Sequence, residues 1–379
     1  MKKITVLYIC PDVSLGGSTQ SLIQIIDAIE DKVYPIVLLP KIGPAVECFK
    51  RMGIEVLIYP YVRLHCFDQK GLIEILFHPW RINFIRHLRT DLKCTRYITR
   101  ILHGKRVDIV HSNYSPITIG CLLSKRLNAK HIWHIREFLD LDFNYKPYFG
   151  IPLLRRLINN ADARIAVTSQ VRDHWRLKRS NTWTLLNPIR KTEDICCNYH
   201  KEPYFLFCSY NLTEKKGARR AIQAFGLSKL FNEGMRLKLI GNCEPSYYES
   251  LVETAREYNC IDSIDFIPRQ DDVKPFFSKA TAFIMASEHE GMGRVTAEAL
   301  FFGCPVIAKA SGGSLDLIRD GVTGYLFETL EECASKMRQA YSSDTSFLIS
   351  NGLSFAKENL TQEVYGPKIL DIYHSVISS

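Results

Sequence analysis

Short apolar runs alternate along the chain with segments of helical period, and this alternation predicts an α/β protein. Strands are predicted at 3–9, 34–39, 55–59, 108–111, 131–135 and 163–168, and again at 204–209, 236–240, 264–268, 281–286, 305–308 and 324–327. Helices are predicted between them at 19–29, 117–127, 218–230, 247–258 and 330–341, with a terminal helix at 362–376. Such an order gives parallel sheets with helices on both faces.

The pattern breaks between Trp183 and Pro203, where a polar, cysteine-containing connection predicts a hinge. We therefore predict domains at 1–185 and 204–360, an inter-domain connection at 186–203 and a terminal segment at 361–379. A chain of 379 residues, with 46% hydrophobic and 23% charged composition, is long enough for two such cores.

Residues 281–308 form the segment around which the chain is organised, because they read as strand, loop, helix and strand. In an open α/β sheet, ligands bind at the loop after a strand, and the next helix directs unpaired amides at them. Glu290 lies in this loop and Glu298 on the helix, so the two carboxylates can flank one ligand. Taken alone, the pair also fits the acid and base of a glycosidase.

Gly16 and Gly17 lie at the first strand-to-helix turn. Glycines at such a turn permit positive φ and close backbone approach, so a phosphate or a sugar could lie against the loop. A simple tight turn is the alternative interpretation.

The net charge of +9 is concentrated in part between residues 81 and 106. This segment has one acid, Asp91, and apolar residues recur near helical spacing at Ile82, Ile85, Leu88, Leu92 and Ile101. Its basic residues are Arg81, Arg86, Arg89, Lys93, Arg96, Arg100, Lys105 and Arg106. Two interpretations are equally supported: docking on an anionic membrane face or acceptor, or a solvated helix that packs on the core through its apolar side. No nucleic-acid motif accompanies the segment.

No run of eighteen apolar residues predicts a membrane span, and the first apolar run reads as a strand rather than a signal peptide. The twelve cysteines show no CxxC pair, which favours reduced structural thiols. We therefore expect a cytoplasmic protein that can associate with the cytoplasmic face of a membrane.

The stretch EGMGRVTAEALFFGCPVIA at 290–308, followed by Ser311-Gly312-Gly313 and DGVTGYLF at 320–327, resembles the signature of retaining glycosyltransferases of the GT-B class, in the large fourth family (glycosyl transferases group 1). The resemblance extends to Gly16-Gly17, DIVHSN at 108–113, WHIREF at 133–138, LNP at 186–188 and Lys216-Gly217. It implies two Rossmann-like domains facing across a cleft, with the terminal helix returning to the first domain.

The resemblance also implies a function. The expected reaction moves a sugar from a UDP- or GDP-sugar to a glycan or lipid-linked acceptor with retention, in surface polysaccharide biosynthesis and without a required cofactor. Retention is expected through front-face attack, with double displacement through Glu290 as the alternative.

By the same resemblance, Lys216 would contact the diphosphate, Glu298 the ribose and Glu290 the transferred sugar, while His134 would lie near the anomeric centre. Glu290, His134 and Lys216 form the expected catalytic set. The remaining expected donor contacts are Gly16, Gly17, Arg269 at the nucleobase, Gly291, Met292, Gly293, Arg294 and Val295, and the acceptor side has His111, Asn113 and Arg136.

Two positions depart from the family pattern. Asn211 stands where the family commonly has an arginine, so the phosphate charge must come from Lys215, Arg219 or Arg294, of which Arg294 is favoured because it follows the loop glycines. Asp316 stands where glutamate is usual, one methylene shorter.

Asp140-Leu141-Asp142 matches the DxD pattern of metal-dependent glycosyltransferases. This pattern arises often by chance, and the expectation is that no metal is required. Two other functions stay open: a nucleotide-sugar epimerase or phosphorylase on the same architecture, and a non-catalytic subunit that binds a sugar nucleotide, which the Asn211 departure motivates.

Overall fold

The structure, a computed structural model, describes residues 3–11, 13–62, 66–67, 80–147 and 150–379. The chain divides into two compact units, Met1–Asn187 with Tyr365–Ser379, and Pro188–Val364. Each unit has its own parallel sheet and its own core, so the predicted α/β class is confirmed.

The first unit contains a seven-stranded parallel sheet. Its strands are β1 (Ile4–Ile9), β2 (Val33–Leu39), β3 (Glu55–Ile58), β5 (Ile109–Ser112), β6 (Lys130–Ile135), β8 (Ala163–Ala166) and β9 (Thr182–Thr184), while β4 (Cys66–Phe67) and β7 (Tyr145–Lys146) form a separate antiparallel pair. The sheet order is β3-β2-β1-β5-β6-β8-β9. The central strands are buried on both faces, which explains their near-continuous apolar runs.

Helices cover this sheet, and the terminal helix is one of them. The helices are Gly17–Asp27, Pro44–Arg51, Trp80–Ile101, Ile119–Leu127, Asp140–Phe143, Gly150–Asn159, Ser169–His174 and Gln362–Ser378. The last contributes Tyr365, Ile369, Ile372, Tyr373 and Val376 to the core cluster that contains Val6 and Tyr8 of β1. Burying each such side chain contributes about 1.5–3 kcal/mol. The predicted return of this helix to the first unit is confirmed.

The second unit contains a six-stranded parallel sheet of order β12-β11-β10-β13-β14-β15. Its strands are β10 (Glu202–Leu212), β11 (Arg236–Cys243), β12 (Ile264–Ile267), β13 (Ala280–Met285), β14 (Val306–Lys309) and β15 (Tyr325–Phe327). Its helices are Ala218–Ser228, Pro245–Glu257, Lys274–Lys279, Arg294–Phe301, Ser314–Leu317, Leu330–Ser342 and Ser346–Asn359.

Among the differences from the predicted elements are the end of β10, the strand β9 and the helix Ser346–Asn359. Strand β10 extends to Leu212 because pairing with β11 resumes after an irregularity between Cys208 and Asn211, which places Asn211 in a strand opposite Asn242. The strand at 163–168 is not the last of its sheet, since β9 pairs with β8 although its polar sequence TWT has no apolar run. The helix Ser346–Asn359 was not predicted.

One interpretation of the basic helix Trp80–Ile101 was that its apolar residues pack on the core. The structure exposes most of them. Ile85, Leu88, Leu92 and Ile101 are exposed, whereas Asp91, Cys94, Thr95, Ile98 and Leu102 are buried. The Asp91 carboxylate accepts a hydrogen bond from the amide of Val62 at 3.1 Å, and burial raises the pKa of Asp91 to about 7. The packed-face interpretation is therefore wrong for these apolar residues. The side chains of residues 80–83, Arg81 among them, lie outside the described residues.

Within the described ranges, no helix combines the length and the apolar character needed to cross a membrane. The cysteines that the structure describes there are free thiols, and most of them are buried or half-buried.

Candidate active site

The order in which the chain adds strands to the second sheet reverses between β10 and β13. From β10 the chain adds β11 and β12 outward on one side, and then returns to β13 and adds β14 and β15 on the other. In open α/β sheets, ligands bind beyond the carboxyl ends of the strands at this switch point. The loops that leave it are 213–217 after β10 and 286–293 after β13, and both hold predicted site residues.

The two loops approach each other closely because of a glycine. Gly217 has φ of +85°, and a Cβ on it would lie 2.2 Å from the carbonyl oxygen of Ala286. Arg220 donates through Nε to that same oxygen at 2.8 Å, and the hydroxyl of Ser287 donates to the carbonyl oxygen of Lys215 at 3.1 Å. The loops are thus held together at the switch point.

Across this junction Lys216 and Glu290 form an ion pair. The Nζ atom of Lys216 lies 2.6 Å from Oε1 of Glu290, and their side chains are 35% and 16% exposed. Partial burial makes such a pair stronger than a surface pair, because the effective dielectric constant is lower. The resemblance assigned these residues to separate parts of one ligand, and the structure places them in direct contact.

The helix Arg294–Phe301 begins here without a side-chain cap. Its N-cap, Gly293, has φ of +78°. The amides of the first turn and the positive end of the helix dipole are therefore directed at the loop, an arrangement that can hold an anion. The hydroxyl of Thr296, fully buried in the first turn, has no hydrogen-bond partner among the described residues. Sequence reasoning missed Thr296; a threonine at the third helical position after a glycine cap was the available signal.

The glycine pair Gly312-Gly313 packs against the loop that carries Glu290. The amide of Gly313 donates to the carbonyl oxygen of Glu290 at 2.8 Å. A Cβ on Gly313 would lie 2.5 Å from Cα of Met292, which is itself buried. The Gly312-Gly313 motif therefore packs against the Gly291–Gly293 segment, and Asp316 follows it on the short helix Ser314–Leu317.

Two of the cations expected to replace the missing arginine have side-chain partners in the structure. Arg294 lies at the helix start beside Gly293, and its Nε atom is 3.0 Å from Oε1 of Glu298 one turn on. Arg219 is directed elsewhere, because it donates to Thr254 Oγ1 at 2.7 Å and to Glu214 at 2.9 Å. The side-chain amide of Asn211 contacts that of Asn242 at 3.4 Å.

Beside the switch point, a cavity of about 340 Å³ opens at the carboxyl ends of β10, β11 and β12. Most of the side chains that line it are apolar, and the lining residues are Leu212, Gly241, Asn242, Cys243, Tyr248, Phe266, Ile267 and Pro268. Arg269 follows this lining; its guanidinium lies 4.4 Å from the ring centre of Tyr210 and 3.3 Å from Asp271. Tyr210 was not singled out from the sequence.

The first sheet has its own switch point, between β1 and β5, and four predicted residues gather near it. His111 and His134 each lie one residue before the end of neighbouring strands, with His111 Nε2 3.2 Å from His134 Nδ1. Arg136 donates to the side-chain oxygens of Asn113 and Asn187. Burial and the nearby Arg136 guanidinium lower the pKa of both histidines, so both are neutral.

Gly16 and Gly17 lie at the start of the first helix, as predicted, but with a different backbone conformation. Gly16 has φ of −71°, and Gly17 is already the first residue of the helix Gly17–Asp27. Neither glycine takes a positive φ, so that part of the prediction was wrong, while close approach of a ligand to this turn stays a prediction. The side-chain amide of Asn113 donates to the carbonyl oxygen of Ser18, which places Asn113 beside this turn.

The two carboxylates of the DxD pattern have structural partners. Asp142 accepts hydrogen bonds from the amides of Phe138 and Leu139, at 3.0 and 2.8 Å. Asp140 lies 2.9 Å from Nε2 of His174. In the part of the chain that the structure describes, no group of three or more His, Cys, Asp or Glu side chains is arranged to hold a metal.

Two family models match this chain, one within each of its two units. A family model described as glycosyltransferase family 4 matches residues 45–184, and one described as glycosyl transferases group 1 matches residues 197–347.

Individual relatives are distant. An uncharacterized glycosyltransferase of Haemophilus influenzae is 28% identical over 37% of this chain and 39% of its own length, so the match spans well under two thirds of that protein. The N-acetyl-alpha-D-glucosaminyl L-malate synthase of Bacillus anthracis is 25% identical over 80% of this chain and 84% of its own length. The structure of Anabaena HepE in complex with UDP superimposes with a TM-score of 0.78 at 17% identity, covering 98% of this chain and all of that one. This similarity shows the GT-B fold.

Proposed function

The chain belongs to the group 1 glycosyltransferases, and from this premise we propose that it transfers a sugar from a nucleoside-diphosphate sugar to a glycan or lipid-linked acceptor. The Lys216–Glu290 pair at the switch point of the second sheet carries the proposal. A departing nucleoside diphosphate needs cationic and N–H stabilisation where its charge develops. Lys216, Arg294 and the uncapped helix start supply both.

The donor is proposed to lie along the carboxyl edge of the second sheet. Its base would occupy the apolar cavity on β10 to β12, and its diphosphate the start of the helix Arg294–Phe301. Glu298 would accept hydrogen bonds from the ribose hydroxyls, and Glu290 from the transferred sugar. The anion site and the cavity lie at the ends of adjacent strands, which supports one extended ligand.

Uracil suits the cavity better than guanine does. Guanine presents an N–H and an amino group along its pairing edge, whereas uracil presents a single N–H, so burying guanine requires more acceptors. No residue lining the cavity has a carboxylate; Asn242 offers a single amide oxygen. The Anabaena neighbour was solved with UDP, which supports the same choice.

Retention by front-face attack is favoured by the position of Glu290. An ammonium at 2.6 Å stabilises the carboxylate anion and thereby lowers its nucleophilicity. We propose that Glu290 orients the sugar and that the departing phosphate takes the acceptor proton, with no requirement for a metal or other cofactor. Product configuration by NMR tests retention, and a covalent glycosyl–Glu290 adduct in quenched reactions would instead establish double displacement.

The central experiment is a screen of UDP- and GDP-sugars with mass spectrometry of the products. Transfer should require Glu298: Glu298→Ala should lower it by about a hundredfold, since a ribose contact and the partner of Arg294 are both lost. Glu253→Ala removes an exposed glutamate from the helix Pro245–Glu257 and is the matched control. Undiminished transfer in Glu298→Ala would contradict the site.

Asn211 favours one alternative, a non-catalytic subunit that binds a sugar nucleotide. An amide in contact with Asn242 cannot supply the bidentate phosphate contact of an arginine. Calorimetry with the same panel separates the two functions: tight binding without hydrolysis or transfer to any acceptor would establish the alternative.

The basic helix is proposed to hold the protein on an anionic membrane, where a lipid-linked acceptor would be found. The exposed apolar residues Ile85, Leu88 and Leu92 share the helix with exposed arginines and lysines, while its lone acid, Asp91, is buried. An interfacial helix needs this combination, since apolar residues enter the headgroup boundary and cations meet lipid phosphates.

Vesicle flotation tests the membrane proposal. The protein should float with vesicles containing anionic lipid and much less with zwitterionic ones. Arg86→Glu combined with Arg89→Glu should abolish flotation, whereas Lys32→Glu, an exposed charge reversal outside this helix, should not. Equal flotation of both variants would reject the proposal.

A further inference from the structure

Arg220 lies at a helix position that does not favour a cation. It is the third residue of the helix Ala218–Ser228, whose first turn holds no acid. The positive end of the helix dipole lies there, so a cation in the first turn opposes it. The helix itself therefore gives no reason for an arginine at this position, and the contacts that its side chain makes outside the helix are the ones to consider.

Those contacts are made by one planar guanidinium. Its Nε atom donates to the carbonyl oxygen of Ala286 at 2.8 Å, Nη1 lies 3.4 Å from Oε1 of Glu288, and Nη2 lies 3.5 Å from the carbonyl oxygen of Lys215. The Arg220 side chain is 22% exposed and that of Glu288 is 58% exposed, so solvent screens the ion pair with Glu288. The short contact with Ala286 is therefore the principal one.

The guanidinium contacts the two loops that carry the Lys216–Glu290 pair. Lys215 directly precedes Lys216 in the loop 213–217, and Ala286 begins the loop 286–293, four residues before Glu290. All of these residues belong to the second unit. Arg220 thus acts on the backbone of both loops.

The adjacent arginine contacts a different element. Arg219 donates to Glu214 of the loop 213–217 at 2.9 Å and to Oγ1 of Thr254, on the helix Pro245–Glu257, at 2.7 Å. Arg219 therefore joins the first loop to this helix, whereas Arg220 joins it to the loop 286–293.

We propose that Arg220 is a positioning residue whose guanidinium holds the loops 213–217 and 286–293 together, so that Lys216 lies beside Glu290 before a sugar nucleotide binds. Such preorganisation improves affinity and rate, because the ligand does not have to order the loops. The role in binding and transfer rests on the proposed function, whereas the joining of the loops rests on the contacts alone.

Hydrogen exchange of the ligand-free protein tests the joining of the loops without reference to activity. Arg220→Gln should speed amide exchange in the segments 213–217 and 286–293 by about fivefold or more. Arg338→Gln is the matched control and should leave both segments unchanged, because Arg338 donates to the backbone carbonyl oxygens of Leu227 and Ser228, which lie in neither loop. Unchanged exchange in Arg220→Gln would overturn the proposal.

Arg220→Lys keeps the charge and provides a second variant. A single ammonium cannot reproduce the planar contacts of a guanidinium with both loops, so exchange in the two segments should be faster in this variant as well. If Arg220→Gln does not fold, Arg220→Lys decides the question by the same measurement, and wild-type exchange in it would overturn the proposal.

Affinity for UDP separates positioning from a simple effect of charge. In calorimetry, Arg220→Gln should bind UDP about tenfold more weakly than wild type, and Arg220→Lys nearly as weakly, while Arg338→Gln should bind like wild type. Wild-type affinity in Arg220→Lys would mean that only the charge matters and would overturn the positioning role.

The two measurements also distinguish failure of this proposal from failure of the proposed function. If wild type neither binds UDP nor transfers sugar, the proposed function fails, and the exchange result still decides whether Arg220 joins the loops. If wild type binds UDP and both Arg220 variants bind it equally well, the positioning role fails while the proposed function stands.

Discussion

The two sheets place different chemistry at equivalent points of their topology. At the switch point of the first sheet, His111, Asn113 and His134 are fully buried, and Arg136 donates to neutral amide oxygens. At that of the second, Lys216 and Glu290 are partly exposed and form an ion pair across two loops. One point is a buried network of neutral side chains around the Arg136 guanidinium, and the other is a charged junction of Lys216 and Glu290.

The difference indicates what each sheet can bind. A partly exposed ammonium has three N–H donors and can contact a phosphate as well as a carboxylate at modest desolvation cost. A buried network of hydrogen-bonded side chains holds one arrangement and suits a neutral group. The second sheet therefore offers groups that suit a charged ligand, and the first offers groups that suit a neutral one.

The strongest test of this comparison removes the charge. Lys216→Ala should lower kcat/KM by about a hundredfold to a thousandfold, because it deletes a phosphate contact and leaves the Glu290 carboxylate without its ammonium. Lys357→Ala, an exposed lysine of the same unit, should have no effect in the same donor-transfer assay. Retained activity in Lys216→Ala would mean that the charged junction is only structural.

A second test separates the approach of the loops from backbone strain. Gly217→Ala should destabilise the second unit by several kcal/mol and weaken donor binding, since its Cβ would meet the Ala286 carbonyl oxygen at 2.2 Å. Gly234 has nearly the same φ, +81°, but no atom within 4 Å of a built Cβ. Gly234→Ala should therefore cost only about 1–2 kcal/mol and leave donor affinity intact. Denaturation and calorimetry on both variants measure the difference.

The sequence predicted the local elements of the site but not the contacts between its loops. The strand, loop and helix around Glu290 were predictable because the hydrophobic period changes there, and parallel pairing then brings the strand ends together. Contacts across loops were not: nothing in the spacing of Lys216 and Glu290 predicts 2.6 Å, and nothing marks Arg220 as the residue that ties their loops.

The basic helix shows a second limit. Its segment carries two apolar stripes, one with Ile85 and Leu88 and another with Cys94 and Ile98, and periodicity alone cannot decide which stripe packs. In the structure the stripe with Cys94 and Ile98 packs, and Asp91 is buried beside it. The sequence shows Asp91 only as a lone acid among arginines, which does not indicate burial.

Glu137, which follows Arg136 near the first switch point, makes the stability of the fold depend on pH. Burial raises the pKa of Glu137 to about 8 from a usual value of 4.5, so the folded state binds a proton that the unfolded state releases between these values. This carboxyl therefore stabilises the fold at low pH, and its contribution is lost as pH rises toward about 8.

Glu137→Gln should remove this contribution. The glutamine carbonyl can still accept from the Ser115 amide, which lies 2.8 Å from Glu137 Oε1. The wild type should lose stability relative to the variant by up to about 1.4 kcal/mol per pH unit in this window. Denaturation above pH 6.5 gives the cleanest reading, because the buried neutral histidines change stability in the opposite direction only below it. Parallel pH profiles would show that Glu137 is ionised.

The smallest expected effect concerns the hydroxyl of Thr296. It tests whether the charged junction extends to the first turn of the helix Arg294–Phe301. Thr296→Val keeps the shape of the side chain and removes a buried hydroxyl that has no partner among the described residues, so thermal stability should be unchanged or slightly higher. Affinity for UDP should nevertheless fall by about fivefold to tenfold if the hydroxyl donates to a phosphate oxygen. Thr296→Ser retains the hydroxyl and should retain the affinity in calorimetry. Equal affinities for the valine and serine variants would place the diphosphate away from this turn and limit the junction to Lys216, Glu290 and the backbone amides.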